Sequence, residues 1–126
     1  MNPVLKKLQF KGQNPVLLLH APKEFEKHQK VFGVPIHTAA KGRYGFLLLF
    51  VKSLEEGERA SKILKKAAGE GAVAWVAYPK GTSKKYQSDY NRDTGHALMA
   101  KQGFEGVSLV ALDEDWSAMR FKAAKI

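Results

Sequence analysis

The sequence predicts an α/β protein built on a single, mostly parallel sheet with helices on both faces and an antiparallel hairpin at the C-terminal end. Three observations predict it. Two continuously apolar runs, "FLLLFV" at residues 46–51 and "AVAWVA" at 72–77, read as strands covered on both faces. A segment with helical spacing separates them, so strand alternates with helix, the pattern of a parallel layered sheet. Near the end, the polar "DED" lies between two β-like runs, which is a hairpin signal.

Each element has its own local cause. Residues 15–20, "PVLLLH", form a short apolar run that reads as the first strand. In "APKEFEKHQK" Pro22 falls where a first helical position would be, with Glu24 and Glu26 in the opening turns, where carboxylates suit the positive end of a helix. Gly33 ends that helix, and "VPIHT" is a short β-like piece whose Pro35 suits a sheet edge or strand start. "AAKGRYG" is a loop leading into "FLLLFV". Ser53 and Glu56 spell an S-x-x-E capping box, so a helix starts near Leu54. Leu54, Ala60, Ile63, Leu64 and Ala67 line one side of it, with Glu55, Glu58, Lys62 and Lys66 on the other, and Gly69 and Gly71 stop it. Residues 92–102, "RDTGHALMAKQ", form a further helix closed by Gly103, with Ala97, Leu98 and Met99 turned inward. In "GVSLVALDEDWSAMRFKAA" the side chains alternate imperfectly before the turn, and Phe121, Met119 and Ser117 share one face of the last strand.

The chain has 126 residues, 44% hydrophobic and 26% charged, which fits one domain over 1–126, with residues 1–13 set apart as a loosely attached N-terminal segment. It contains no cysteine, which excludes disulfides, thiolate metal sites and cysteine nucleophiles. Lys6, Lys7 and Lys11 interrupt the opening apolar residues, unlike a secretory leader, and no later run approaches the roughly 20 apolar residues of a membrane span. A cytoplasmic protein without a membrane partner is therefore expected. The formal net charge of +9 favours an anionic partner, although lysines spread along the chain equally suit a solubility surface.

Four stretches, "LLLHAPKEF", "WVAYPKGTSK", "DYNRD" and "VALDEDWSAMRF", resemble the pattern of a family of short bacterial proteins known only as a domain of unknown function. That resemblance spans most of the chain and implies the fold without an activity. A looser similarity concerns the order strand, helix, strand, helix, hairpin from Phe46 to Phe121, which looks like the carboxyl half of a class I methyltransferase, a Rossmann-like layout. In that family a glycine-rich turn after the first strand holds the methionine moiety of the methyl donor, and an acidic residue closing the second strand holds its ribose. Here the turn reads "HAPKEF", with proline where glycine is wanted, and no acidic residue follows "VPIHT". The resemblance thus implies a related architecture that does not methylate.

In open α/β sheets, ligands sit where the carboxyl ends of the strands enter loops. Three loops reach that end: "HAPKE", "KSLEE" and residues 79–91. The last is the most conspicuous. Lys80, Gly81, Thr82, Ser83 and Lys84 supply flexible amides, hydroxyls and ammonium groups that could cradle a phosphate, and Arg92 could clamp it bidentately. The structural alternative is a solvated basic connection, with Asn91 or Asp89 capping the next helix and Arg92 paired to Asp113 or Asp115 of the hairpin. Tyr78 and Trp116 are candidate stacking faces for a base, the alternative being core positions. Ser83, His96 and Asp93 can be assembled into a triad on paper, but there is no G-x-S-x-G elbow. His20, His28 and His37 lack metal-ligand spacing. No metal, cofactor or catalytic group is called for. The resulting expectation is a non-catalytic protein binding an anionic, phosphate-bearing ligand or partner at the carboxyl edge of its sheet. An RNA- or DNA-binding module is the first alternative, and an enzyme of methyltransferase-like ancestry the second.

Overall fold

The computed structural model describes residues 2–124. In chain order the elements are α1 (Pro3–Lys7), β1 (Val16–Leu19), a single 3₁₀ turn (Lys23–Phe25), α2 (Glu26–Gln29), β2 (Ile36–His37), β3 (Tyr44–Phe50), α3 (Leu54–Ala67), β4 (Ala68–Pro79), α4 (Arg92–Ala100), β5 (Phe104–Ala111) and β6 (Trp116–Ala123). One six-stranded sheet results, in the order β2-β1-β3-β4-β6-β5. β2, β1, β3 and β4 run parallel, and β6 is antiparallel to both β4 and β5. The predicted mixed α/β architecture is what the chain adopts.

β3 and β4 lie side by side in the middle, Leu48 opposite Trp75; residues 46–51 and 74–77 are almost wholly inaccessible, whereas Ala72 and Val73 at the start of the second run are partly buried. Each leucine so buried contributes about 1.5–3 kcal/mol over an exposed one, which is why continuous apolar runs select the centre of the sheet. Side chains alternate between two cores. On one face Leu47, Leu49 and Val76 pack under Ala60 and Leu64 of α3 and Met99 of α4. On the other, Phe46, Leu48, Phe50 and Trp75 pack against Leu5, Leu8, Phe10, Phe25 and Phe32.

The capping box starts α3 as expected: the Glu56 amide donates to Ser53 Oγ at 3.1 Å. The reciprocal bond shifts by one residue, since the Lys52 amide, not that of Ser53, donates to Glu56 Oε1 at 3.1 Å. Asn91 caps α4, accepting from the Thr94 amide at 3.0 Å while the Asn91 amide donates to Thr94 Oγ1 at 2.8 Å. Tyr90 is the wedge between these helices. A Cβ built on Gly57 of α3 would fall 2.5 Å from its ring, and one on Gly95 of α4 would meet its hydroxyl, so both helices need glycine there.

Three local expectations are corrected. The segment 1–13 is not loosely attached: Leu5 and Leu8 are buried, and the Trp75 indole N–H donates to the Leu8 carbonyl at 2.8 Å, which gives an otherwise stranded core donor its acceptor. The helix after Pro22 is only a 3₁₀ turn followed by four α-helical residues. Ala97 is exposed on α4, because Gly95 and Met99 are the positions that meet the core.

Candidate functional site

β1 leads leftward in the sheet to β2, whereas β3 leads rightward through α3 to β4, so strand order reverses between β1 and β3. At such a switch point the loops diverge to opposite faces and leave a crevice outside the carboxyl ends. A cavity of about 460 Å³ lies there. Leu19, Leu49 and Ile63 form its apolar wall, and His20, Lys52, Glu56 and Arg59 its polar side. His20 has φ +59, a left-handed conformation that side chains with a Cβ adopt at a cost of about 1–2 kcal/mol. Glu56 is engaged by the Lys52 amide and Arg59 by Glu55 at 2.7 Å, whereas among the described residues the His20 ring has no hydrogen-bond partner. The crevice therefore sets the His20 imidazole beside the Lys52 ammonium, with Glu56 and the Glu55-paired Arg59 completing its polar side.

Beside it, residues 80–91 run as a strap across the carboxyl ends, tied at three points. Ser83 Oγ donates to Asp115 Oδ1 at 2.8 Å. The Tyr86 hydroxyl donates to the Glu24 carboxylate at 3.0 and 2.8 Å. Asp89 Oδ1 accepts from the Leu54 amide at 2.8 Å, adding a second cap to α3. Glu24 is the hub: it also accepts from Trp116 Nε1 at 3.0 Å and lies 3.5 Å from Lys85 Nζ. Burial by itself would raise its pKa. Its own backbone amide, Trp116, Tyr86 and Lys85 all favour the charged form and together hold it at about 2, against 4.5 ordinarily. The Tyr86 hydroxyl is pushed up by burial and by its bond to Glu24, and Lys85 is pushed up mainly by the Glu24 carboxylate. Lys52 Nζ stands 5.1 Å from the Tyr86 ring centre, so strap and crevice share a wall.

The sequence-predicted residues are distributed as follows. Lys80 is half-buried, and its amide donates to the Asp115 carbonyl at 2.8 Å. Gly81, Thr82 and Lys84 are exposed, and the Ser83 hydroxyl is occupied by Asp115. Arg92 does not pair with the hairpin acids. Its guanidinium is 3.8 Å from Asp93, while Asp113 caps its own turn by accepting from the Asp115 and Trp116 amides. Tyr78 and Trp116 offer no stacking face: both are buried, Tyr78 against Tyr90 and Trp116 among Phe50, Tyr86 and Glu24. Sequence reasoning missed Glu24, Tyr86, His20 and Lys52 as a group. The rule that ligands sit at strand ends pointed to "HAPKE" and "KSLEE", but nothing local marked Glu24 as buried or His20 as left-handed.

The turn after β1 holds Ala21 and Pro22, which lacks a backbone donor. β2 stops at His37, opposite Leu17, short of the Leu19 with which β1 ends, so it brings no loop to the crevice. No carboxylate lies between Ile36 and Tyr44, and His37 Nδ1 is held by the Tyr44 hydroxyl at 2.7 Å. Among the described residues no cluster of three potential metal ligands occurs, and no helix is long and apolar enough to cross a membrane.

No family model matches the chain, so the resemblance to a domain of unknown function gains no support. No curated protein matches its sequence. Solved structures do match. A ribosomal protein L11 methylase from Lactobacillus delbrueckii subsp. bulgaricus aligns at 10% identity over 97% of this chain and 76% of its own, with a TM-score of 0.59. A TehB-like SAM-dependent methyltransferase from Corynebacterium glutamicum aligns at 8% over 95% and 85%, TM-score 0.60. The CcbJ methyltransferase from Streptomyces caelestis aligns at 11% over 96% and 93%, TM-score 0.59. At these identities the likeness is one of fold. This shared fold corrects the expectation of a non-catalytic binder of a phosphate-bearing ligand, which nothing in these likenesses supports.

Proposed function

We propose that this chain is an enzyme of methyltransferase-like descent that acts on a small molecule in the crevice between β1 and β3. The carrying observation is the coincidence of a ligand-sized cavity with the strand-order switch point, lined by His20, Lys52 and Arg59. S-adenosylmethionine does not fit the residues present. The turn that would wrap its methionine end carries Pro22, and truncated β2 presents no carboxylate to its ribose. The reading supported is thus an enzyme that keeps the architecture and the crevice and has replaced the donor-holding groups. In it, His20 serves proton transfer, Lys52 balances negative charge on the bound molecule, and the strap excludes water from one side.

The test is a backbone-amide NMR titration of the full chain with S-adenosylmethionine, S-adenosylhomocysteine and a fragment library. The donor pair should cause no saturable shift, and fragments that bind should move His20, Val51 and Lys52. Ala60→Trp, which fills the cavity from α3, should abolish that binding. Saturable binding of S-adenosylmethionine would refute the loss of the donor. Fragments that collect elsewhere, or that survive Ala60→Trp, would refute the crevice.

A further inference from the structure

The amino end of β4 holds a second cavity, of about 460 Å³, at the opposite end of the sheet from the crevice and independent of its reading. Its origin is a break in the sheet. β3 pairs with Ala68 and next with Val73, and β6 joins β4 only from Ala74, so Gly69–Ala72 have no register partner on either neighbouring strand. This bulge reads "GEGA", and Gly71 sits in the left-handed region at φ +69. Glycines in a strand bulge leave the backbone open to close approach by another molecule. Gln102 and Gly103, in the turn after α4, close the far side of the space.

The lining divides by chemistry. Ala74, Phe104 and Phe121 make an apolar floor continuous with the core under α3 and α4. Arg43, Lys65 and Lys122 bring positive charge, against one lining carboxylate, the exposed Glu70. Lys122 Nζ lies 3.8 Å from Glu105 and is largely balanced there. Arg43 donates one N–H to the Ala68 carbonyl at 3.0 Å, a neutral partner that leaves the guanidinium charge uncompensated. Lys65 has no ion pair among the described residues, and its ammonium stands 3.8 Å from where a Cβ on Gly103 would lie, beside the turn that closes the cavity. The carbonyl ends of α3 and α4 converge on the same space with their negative partial charge, which favours a bound molecule with one negative charge over one with two.

We propose that this cavity is a binding site for a small monocarboxylate with an apolar body. The carboxylate is held by Arg43 and Lys65, whose fork and ammonium suit it, and the body rests on Phe104 and Phe121. The unpaired backbone of the bulge adds neutral donors on the same wall.

A backbone-amide NMR titration of the full chain with phenylacetate, isovalerate and the two corresponding neutral amides tests this. Both carboxylates should move the Gly69–Ala72 and Gly103 signals saturably, and each neutral amide should bind about tenfold more weakly or worse, the scale of one lost charge-assisted contact. Lys65→Met keeps the stem and removes the charge; it and Arg43→Gln should each weaken carboxylate binding by about tenfold. Ala123→Trp fills the cavity from the exposed end of β6 and should abolish binding of acids and amides alike. Equal affinity for acid and amide, no saturable shift at the bulge with either carboxylate, or binding that survives Ala123→Trp would overturn the proposal. Shifts centred on His20 and Lys52 would put these molecules in the crevice and overturn it too. The comparison of acid with amide on the wild type decides the matter even if a variant fails to fold.

Discussion

Glu24→Gln removes a charge from the one carboxylate that ties three distant segments together. In the native chain this side chain, 22% exposed, accepts from Tyr86 and Trp116 and faces Lys85. A pKa lowered from 4.5 to about 2 corresponds to a ceiling of about 3.4 kcal/mol at 1.36 kcal/mol per unit. Partial exposure and the solvated position of Lys85 reduce this, so a loss of about 2 kcal/mol at pH 7 is expected, or about 8 °C in melting temperature for a chain of this size. The pH dependence follows from the sign of the shift. The folded value lies below the unfolded one, so the contribution is fully present above about pH 4.5 and is lost as pH falls toward 2. By pH 3 about two-fifths of it should remain. Urea unfolding of wild type and variant at pH 7, 5 and 3 reads both quantities. A difference under about 0.5 kcal/mol at pH 7 would show that the hub contributes little, and a difference that stays constant down to pH 3 would assign the effect to shape and not to charge.

Gly57→Ala and Gly95→Ala should each destabilise by about 2–3 kcal/mol in thermal melts, because the new methyl collides with Tyr90; Tyr90→Phe should partly rescue Gly95→Ala, whose clash includes the hydroxyl, and rescue Gly57→Ala less. His20→Gly should raise stability by about 0.5–1 kcal/mol, since glycine adopts the left-handed backbone freely; a lower melting temperature would mean that the imidazole holds the structure instead of serving the crevice. Ser83→Ala should cost about 1 kcal/mol and speed hydrogen exchange at Lys85 and Tyr86, whose amides donate to Ser83 Oγ at 3.2 and 3.1 Å. Lys84→Ala, by contrast, should stay within about 0.5 kcal/mol of wild type.

The elements that were legible in the sequence share one property: their cause is local. "FLLLFV" and "AVAWVA" are apolar at every position, and only a doubly covered strand satisfies that, so their central place follows from composition alone. Ser53 and Asn91 lie within three residues of the amides they cap, which is why α3 and α4 begin as expected. The hairpin is likewise announced by its polar turn. Even the missing glycine turn and ribose acid were readable, because they are absences at defined positions along the chain.

What only the tertiary structure decided depends on partners far apart in sequence. Glu24 in an opening turn reads as a solvated carboxylate; its role as a hub requires Tyr86 and Trp116, 62 and 92 residues away. The N-terminal segment looks dispensable until Trp75, buried mid-sheet, needs an acceptor for its indole N–H and finds it at Leu8, 67 residues earlier. Strand order is the largest such decision. The insertion of β6 between β4 and β5, and the reversal between β1 and β3, arise from how layers cover one another, and neither is encoded in any single run of residues. Because the crevice exists only where that reversal occurs, its lining of His20, Lys52 and Arg59 could not be gathered from spacing. A strand-end histidine and two helix-proximal cations become one site only when parallel pairing sets Leu19 beside Leu49.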